Sequence, residues 1–460
     1  MSDASALAVH REQNLMEATV TAIEEQIAAA GVEFLYYQFV SINGRVLTKV
    51  APARHLRRNL ASGVNFHGSA VADVAVDRSG EIFAGGAQAE EFTALPDPET
   101  FRVLPWERTT GRFLCRLYRR ADADPNPGAS LPTDTRGLLR RAHAVFEQAT
   151  GYELRAGLEP EMTWEGESID VTARPGVSPA YHLGSLEKVR EIYQRVIRYG
   201  QALGLEMVEG DYEDNGQLEL NFHFDRAETT ADRLVTYRQI CARVATELGV
   251  TATFMPKPTL GVMGNGCHHN ISLWRDGTNA FSEPGREDLH VSAVARKAVG
   301  GLLTHSSAGM AVYASTVNSY KRYWDTGLFA PSRVNWGLDN RTCTVRVSAN
   351  GRLEFKLPDA IVNPYLSLTL VLAAIADGLG RDLDPGEPVA RGELAAAANG
   401  FDPLPLTLGE AIDRFAASAA AEALGPELTG LYLDFKRDEW ARYCSAITDW
   451  EREMYREWLP

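Results

Sequence analysis

Four short segments of the chain alternate apolar and polar side chains, the period of two that predicts a β-strand with one polar face. In the first segment, Glu159 and Glu161 share a face. The polar faces of the other three segments are Gln217, Glu219, Asn221 and His223, then His268, Asn270, Ser272 and Trp274, then Arg352, Glu354 and Lys356. The opposite faces are mostly apolar, and the clearest set is Leu218, Leu220, Phe222 and Phe224. The pattern predicts an antiparallel sheet with one buried face.

Helical spacing and turn residues predict the elements around these strands. The segment Met16–Ala30 has helix formers at helical spacing, and Gly31 is placed to end the helix. Asn43 and Gly44 lie between two β-rich runs, which is the strongest short signal for a hairpin. Three more helices are predicted over Leu186–Leu203, over Thr230–Leu248 and, as a buried helix too short to span a bilayer, over Leu366–Ala376.

Composition and charge limit the classes of partner. A chain of 460 residues with 45% apolar content can bury a large core, and its length favours two domains. The 61 acidic and 46 basic residues give a net charge of -15, which disfavours nucleic acid and anionic membranes as partners. Five cysteines without a CxxC pair, and an N-terminus without a signal-peptide pattern, predict a soluble cytoplasmic protein.

The acids on the polar faces suggest a metal site. A solvated sheet surface is the alternative for any single strand. However, the acid is repeatedly Glu, and Glu159 and Glu161 would lie about 7 Å apart on one face, where like charges repel unless a cation lies between them. Carboxylates with one imidazole, here His268, suit Mg²⁺ or Mn²⁺ better than zinc, which prefers Cys and His. The four segments together predict a site for a hard divalent cation.

Generic nucleotide motifs are missing from the sequence. There is no GxxxxGK, and no GxGxxG follows a strand, so neither a P-loop nor a Rossmann site is supported. Arginines do cluster near the fourth polar segment, at Arg322, Arg333, Arg341, Arg346 and Arg352. Arginine suits bidentate capture of phosphate or carboxylate, although a solvated basic patch is the alternative for any single one of them.

Seven motifs between Gly157 and Leu366 resemble, in order, those of the glutamine synthetase superfamily. They are GLEPEMTW, EDNGQLELNF, TATFMPKPTLG, GNGCHHNISLW, NSYKRY, NRTCTVR and LEFKLPDAIVNPYL. The resemblance implies an α+β protein, with an N-terminal β-grasp domain over 1–126 and a catalytic domain over 127–460 built on a curved antiparallel sheet flanked by helices. The turn-rich segment 121–135 agrees with that boundary. The resemblance also implies a homo-oligomer, a dodecamer of two stacked hexameric rings with active sites between neighbouring subunits.

Site residues follow from the resemblance by position. One divalent cation, Mg²⁺ or Mn²⁺, would be held by Glu161, Glu213 and Glu219, and the other by Glu159, His268 and Glu354. Asp211 competes with Glu213, because the loop before Gln217 differs in length from that of better-known members.

The remaining implied residues contact ATP and L-glutamate. Arg322 would grip the α-carboxylate of glutamate, with Gly264 and Lys356 also at the substrate. Arg341 and Arg346 would act in catalysis, and the nucleotide would contact Asn270, Ser272, Arg346 and Arg352. In the family, ATP phosphorylates the γ-carboxylate of glutamate and an amine then displaces the phosphate, chemistry that cations and arginines favour by stabilising the phosphoryl oxygens.

Two departures from the family concern the amine. His67 stands where ammonia-using members have an Asp from the neighbouring subunit, and Phe329 stands where they have a Glu before Ala-Pro. Without these acids, a neutral apolar amine is expected, such as aniline, in the manner of γ-glutamylamide and γ-glutamylanilide synthetases. Phe329, with Trp336 or Phe66, would form an apolar slot, and His67 would accept the released proton. Ammonia, alkylamines and a catalytically silent relative are the alternatives.

Overall fold

Residues before about 120 form a six-stranded sheet, in a computed structural model that describes residues 5–167, 169, 178–324, 329–390, 392–394 and 400–458. The strands are β1 (Phe34–Val40), β2 (Val46–Pro52), β3 (Val64–Phe66), β4 (Phe92–Pro96), β5 (Arg102–Leu104) and β6 (Glu107–Arg119). Their order is β2-β1-β6-β4-β3, and β5 also pairs with β6. Only the pairing of β1 with β6 is parallel within this described sheet.

The local signals in this part are confirmed. The first three helices are α1 (Ala6–Asn14), α2 (Glu17–Ala30) and α3 (Leu56–Ser62). Helix α2 ends at Gly31, whose φ of 70° is the left-handed conformation that glycine adopts without a steric penalty. The hairpin around Asn43 and Gly44 joins β1 to β2, and Gly44 also has a positive φ, of 79°.

A ten-stranded sheet forms the second part of the chain. Its strands are β7 (Glu153–Glu165), β8 (Met207–Asp214), β9 (Gln217–Phe222), β10 (Asp225–Arg226), β11 (Thr251–Thr253), β12 (Cys267–Arg275), β13 (Thr278–Asn279), β14 (Trp336–Leu338), β15 (Val345–Val347) and β16 (Leu353–Phe355). The main order is β14-β15-β16-β12-β7-β9-β8. The sheet is antiparallel as expected except at its end, where β14 and β15 are parallel.

Helices pack around this second sheet. They are α4 (Thr135–Thr150), α5 (Leu183–Lys188), α6 (Arg190–Ala202), α7 (Ala227–Leu248), α8 (Ala293–Tyr313), α9 (Lys321–Trp324), α10 (Pro364–Gly380), α11 (Leu408–Ala416), α12 (Ala419–Glu422), α13 (Pro426–Ser445) and α14 (Asp449–Tyr455). The helix predicted over Leu186–Leu203 is divided at Val189 into α5 and α6. The predicted helix over Thr230–Leu248 is α7.

Helix α10 is the buried helix predicted from its apolar sequence. Asn363 caps its N-terminus by accepting from the backbone amides of Tyr365 and Leu366, and Pro364 occupies the first turn. A helix that is apolar all round must be covered on all sides, and α8 and α4 pack against α10. None of the described helices is long and apolar enough to cross a membrane.

The two sheets are joined at the start of α10. The side-chain amide of Asn363 donates to the carbonyl oxygens of Ser41 (3.0 Å) and Ile42 (3.2 Å), in the hairpin of the first sheet. The segment between β6 and α4 is irregular, which agrees with its turn-rich sequence. The domain division at 126/127 stays a prediction.

Core packing around α10 predicts a clear difference between two positions on one helix. Leu139 of α4 is fully buried, whereas Val145 of the same helix is 65% exposed. We expect Leu139→Ala to lower the apparent free energy of unfolding by about 2–5 kcal/mol, because it leaves a cavity. The control Val145→Ala is expected to change it by less than about 0.5 kcal/mol. Urea denaturation followed by circular dichroism measures both, and equal losses would contradict this assignment of the core.

Candidate active site

Strand pairing brings the predicted polar faces together on neighbouring strands. Glu159 on β7 pairs directly with His268 on β12, and Asn270 on β12 pairs with Glu354 on β16. On the other side of β7, Glu161 pairs with Glu219 on β9. The alternation inferred from the sequence therefore places the acids in one continuous patch.

One group in this patch has the arrangement of a metal site. The potential ligand atoms of Glu159, His268 and Glu354 all lie within 4.8 Å of one another. The Nδ1 atom of His268 is 3.6 Å from a carboxylate oxygen of Glu159 and 3.5 Å from one of Glu354. Burial opposes the charge of Glu159, but the hydrogen bond to His268 and the positive charge of that ring outweigh it, so the pKa of Glu159 lies below its ordinary value.

The second group contains acids whose charges are not balanced. Burial and the charges of Glu159 and Glu161 raise the pKa of Glu219 well above its ordinary value. Burial, Glu161 and Asp211 raise the pKa of Glu213 to about 8. These acids do not converge as tightly as the first group, but their carboxylates interact strongly enough to suppress ionisation. A cation between them would remove that repulsion.

Both candidates for the uncertain ligand belong to the second group. Asp211 pairs with Glu219 across β8 and β9, and the register then shifts between Tyr212 and Asp214, so Glu213 lies at a bulge. A bulge adds a residue to one strand and re-aims its side chains. Asp211 and Glu213 are two residues apart, and their side chains are hydrogen-bonded to each other. Both residues fit a cation site.

The donor chemistry of the patch fits divalent cations. Carboxylate oxygens with one imidazole are the ligands of Mg²⁺ and Mn²⁺, and the raised pKa values of Glu213 and Glu219 show that the chain alone does not neutralise its acids. The chain orients Glu161 with hydrogen bonds from the backbone amide of Gly266 (2.6 Å) and from the side chain of Gln217 (3.4 Å). Such outer hydrogen bonds hold ligand carboxylates in place.

A cleft of about 400 Å³ opens beside the first group. Among its lining residues are Glu159 and the predicted nucleotide contacts Asn270, Ser272 and Arg352. The side-chain oxygen of Asn270 is buried without a hydrogen-bond partner, which leaves it available to a ligand. The cleft can therefore accept a nucleotide next to the Glu159 group.

The prediction for Phe224 was wrong. The sequence pattern assigns it to the buried face of β9, but β9 ends at Phe222 and the alternation ends with it. The Phe224 ring is 38% exposed, lines the cleft, and stacks between His223 and Trp274.

A smaller cavity, of about 50 Å³, lies on the other side of His268. Its lining residues are Glu161, Lys257, Met263, Gly264, His268, Arg322, Phe329 and Ala330. The buried Arg322 has an Nη1 atom without a hydrogen-bond partner. A Cβ added to Gly264 would lie 2.7 Å from the Arg322 side chain, so a larger residue at this position would clash with the arginine. The cavity thus brings together Arg322, Gly264 and Phe329, three of the predicted site residues.

The other predicted basic site residues differ in their burial and in the acids with which they interact. Arg346 is held by Glu354 (2.9 Å) and Asp339 (2.8 Å), and these acids raise its pKa although burial opposes the charge. Arg341 is exposed, and its charge acts on Glu213. Lys356 is buried, which lowers its pKa, and it donates to the backbone carbonyl of Arg341. The Nζ atom of Lys356 lies 3.9 Å from a carboxylate oxygen of Glu354, and Lys356 is not among the lining residues of either cavity described above.

The residues expected near the amine are not all brought together within one chain. His67 lies in the first part of the chain, where Nδ1 accepts from the Ser69 backbone amide (3.3 Å) and Nε2 lies 3.2 Å from the Ala87 carbonyl. Phe66 packs against Phe39 and Phe92, and Trp336 is buried with its indole donating to Gly386. Phe66 and Trp336 are core residues, so their assignment to an apolar slot was wrong.

Two further residues at the site were not assigned from the sequence. Lys257 lines the smaller cavity. It belongs to the motif TATFMPKPTLG, but the motif alone does not indicate where the lysine side chain points. Tyr181 lies in a loop, and the charge of Glu213, then burial and Asp211, raise the pKa of its hydroxyl. A loop residue has no periodicity to reveal it.

Comparison with known proteins agrees with this geometry. A model of the family described as "Glutamine synthetase, catalytic domain" matches residues 132–455. The glutamine synthetases of Halobacterium salinarum and Methanococcus maripaludis are 33% and 32% identical to the chain, over 95% and 94% of it and over 96% and 98% of their own lengths. The chain belongs to the glutamine synthetase family.

Solved structures support the same assignment. A complex of GmaS with ADP matches with a TM-score of 0.83 and 31% identity, over 94% of this chain and 98% of that one. GmaS without ligand matches with a TM-score of 0.82 over the same shares. The expected fold class is confirmed, and the chain is an ATP-dependent glutamate–amine ligase of the glutamine synthetase type, a family that uses divalent metal ions.

The metal assignment predicts a pH-dependent affinity for Mn²⁺. Below its pKa of about 8, Glu213 holds a proton that a cation must displace, so the affinity is expected to rise between about pH 6 and pH 8 and then level off. Glu354→Gln should weaken binding more than the roughly tenfold typical of losing an outer partner of a ligand. The control Glu165→Gln, on the same strand as Glu159, should not weaken Mn²⁺ binding in this way. Calorimetric titration measures all three proteins, and equal affinities at every pH would contradict the assignment.

Proposed function

We propose that the protein ligates a neutral, apolar amine, an arylamine such as aniline, to the γ-carboxylate of L-glutamate through γ-glutamyl phosphate. The observation that carries the proposal is the smaller cavity, where the aromatic ring of Phe329 lies with Met263 beside Glu161 and Arg322. Phe329 occupies the position of an acid in the ammonia-using members that the sequence resembles. An apolar wall at this point favours a ring over a cation.

The charges around the smaller cavity support a neutral amine. Two cationic side chains, Lys257 and Arg322, line it, against the carboxylate of Glu161 and the ring of His268. An alkylamine resembles the lysine side chain, whose pKa is about 10.4, so it arrives as a cation and must lose a proton before it attacks. An arylamine is a far weaker base and is already neutral. It therefore needs no deprotonation before it attacks.

We assign the cations to the two acidic groups. Glu159, His268 and Glu354 would hold one, and Glu161 and Glu219 with Asp211 or Glu213 the other. Bound Mg²⁺ or Mn²⁺ would neutralise charge on the phosphoryl oxygens during transfer. ATP would lie in the larger cleft against Asn270, Ser272, Arg346 and Arg352.

The chain's own residues would orient two successive displacements. In the first, an oxygen of the glutamate γ-carboxylate attacks the γ-phosphorus of ATP and ADP leaves. In the second, the amine nitrogen attacks the γ-carbonyl carbon, the bond to phosphate breaks and the nitrogen loses a proton. Arg322, in the cradle of Gly264, would hold the α-carboxylate of glutamate, and Arg341 and Arg346 would stabilise the phosphoryl group. Lys356, which the resemblance assigns to the substrate, has its Nζ atom 3.9 Å from Glu354, and we propose that it acts there.

His67 is proposed to reach the site from a neighbouring subunit. Its ring bonds to Ser69 and Ala87 occupy both nitrogens, so accepting the amine proton would require one of these bonds to open. The proposal therefore includes a homo-oligomer, a dodecamer of two stacked hexameric rings, and domains divided at 126/127. A cytoplasmic location is proposed from the cysteines, which form no disulfide among the described residues.

Ammonia is the second candidate substrate. It is favoured by the relatives named glutamine synthetase, which match nearly the whole chain. Phe329, which stands where the ammonia-using members have an acid, counts against it.

Amine preference tests the proposal directly. We expect kcat/KM, measured by glutamate-dependent ADP release, to be higher for aniline than for isopropylamine, ethanolamine or ammonia at neutral pH. Phe329→Glu should shift the preference towards the cationic amines, because it restores a charge that attracts them. The control Val145→Glu adds the same charge on an exposed part of α4 and should leave the order unchanged.

Two outcomes would contradict the arylamine. One is a higher kcat/KM for ammonia than for aniline in the unmodified enzyme. The other is a Phe329→Glu variant that keeps its activity but shows the same order of amines as the Val145→Glu control.

Assembly is tested separately. If His67 completes the site of a neighbour, active protein should elute as a ring oligomer in size-exclusion chromatography with light scattering. Mixing inactive His67→Ala subunits with inactive Glu354→Gln subunits should restore part of the activity, because mixed interfaces contain one intact site. A fully active monomer, or no recovery from mixed subunits that assemble normally, would contradict a shared site.

A further inference from the structure

A further cleft, lined by several arginines, lies where strands β5 and β6 of the first sheet meet helix α7 and the segment joining α6 to β8. Its volume is about 230 Å³. Three acids and five arginines line it, and the arginines are Arg102, Arg112, Arg136, Arg140 and Arg233. The arginines exceed the lining acids by two, and Asp97 and Asp225, which do not line the cleft, pair with Arg136 and Arg233. The metal and nucleotide sites use none of these arginines.

Two of the arginines form a like-charged pair. Arg102 on β5 and Arg112 on β6 are directly opposite each other across the antiparallel strands. Like charges in this position are destabilising. Arg112 is only 5% exposed, and burial lowers its pKa to about 10; the charge of Asp232 opposes this shift, and that of Arg102 adds to it.

No described carboxylate forms an ion pair with either member of this pair. Arg112 donates to the hydroxyl of Thr236 (2.8 Å) and to a backbone carbonyl, and Arg102 donates to three backbone carbonyls. The other arginines of the cleft do have acidic partners. Arg136 binds Asp97 and Asp232, Arg140 lies 3.6 Å from Asp97, and Arg233 lies 3.1 Å from Asp225.

We propose that the cleft binds a small oxyanion, the carboxylate or phosphate group of a metabolite with few carbon atoms, between Arg102 and Arg112. Guanidinium groups bind both kinds of oxyanion in bidentate fashion, and an anion between them converts repulsion into attraction. The volume is below the roughly 300–1,000 Å³ of sites for drug-sized ligands, which favours a small anion over a nucleotide.

The cleft shares structural elements with the active site. Arg233 lines the cleft and donates to the backbone carbonyl of His223 (2.7 Å), and the side chain of His223 lines the nucleotide cleft. The segment Leu203–Leu205 forms another wall and leads into β8, which carries Asp211 and Glu213. An anion bound here is therefore positioned to change the KM for ATP.

Calorimetric binding tests the site in the full-length protein. Mg²⁺, ADP and glutamate are first added to saturation, which fills the nucleotide and glutamate positions of the active site, and binding of phosphate is assigned to the cleft only where Arg102→Gln weakens it. Succinate and inorganic phosphate are then titrated separately, which distinguishes a carboxylate from a phosphate ligand. We expect at least one to bind, and Arg102→Gln to weaken it by about tenfold or more. The control Arg108→Gln removes an exposed arginine from the same strand as Arg112 and should bind within about twofold of the unmodified protein.

Thermal melting distinguishes a binding role from a structural one. The probe that binds should raise the melting temperature of the unmodified protein and of Arg108→Gln, but not of Arg102→Gln. Without the probe, Arg102→Gln should melt no lower than the unmodified protein, because it relieves the like-charged pair. The proposal is overturned if neither probe binds, if Arg102→Gln binds as tightly as Arg108→Gln, or if Arg102→Gln melts lower while its response to the probe is unchanged.

Discussion

Repulsion among carboxylates on paired strands is the constraint on which the active site depends. Pairing of β7 with β9 and β12 places Glu159, Glu161 and Glu219 in one patch, and that pairing is enforced by the buried opposite faces of the same strands. The acids cannot move apart without breaking the sheet. The chain must therefore supply positive charge, suppress ionisation or bind cations.

The chain supplies its own positive charge at one end of the patch. His268 lies against Glu159, and Arg346 lies against Glu354, so this end is partly neutralised before any ligand binds. The end near Glu213 has no comparable partner among the described residues, and its acids respond with raised pKa values. The two ends should consequently differ in how strongly their cation affinity depends on pH. Strand pairing also holds the like charges of Arg102 and Arg112 together, but these charges are positive, so an anion would relieve their repulsion.

The sequence predicted those features that depend on periodicity. Alternation identified the acidic face, because a strand that buries one face must present the other, and this holds through β7, β12 and β16. It failed where a strand ended, at Phe224, and it could not choose between Asp211 and Glu213, because a bulge is a property of two paired strands. The burial of Trp336 and of Lys356 depends on tertiary packing. Tyr181, in a loop, has no sequence period at all.

The residues proposed for phosphoryl transfer and those proposed to contact the amine lie on different kinds of structural element. The acids proposed to hold the cations beside the phosphoryl group lie on paired strands, where a change in one side chain disturbs the balance of charge in the whole patch. Phe329 and Met263 lie outside the strands, and His67 belongs to a separate part of the chain. Loop residues can change without cost to the sheet, which is why specificity so often resides in loops on a rigid scaffold. Phosphoryl chemistry can therefore stay constant within this fold while the identity of the amine changes through a few side chains.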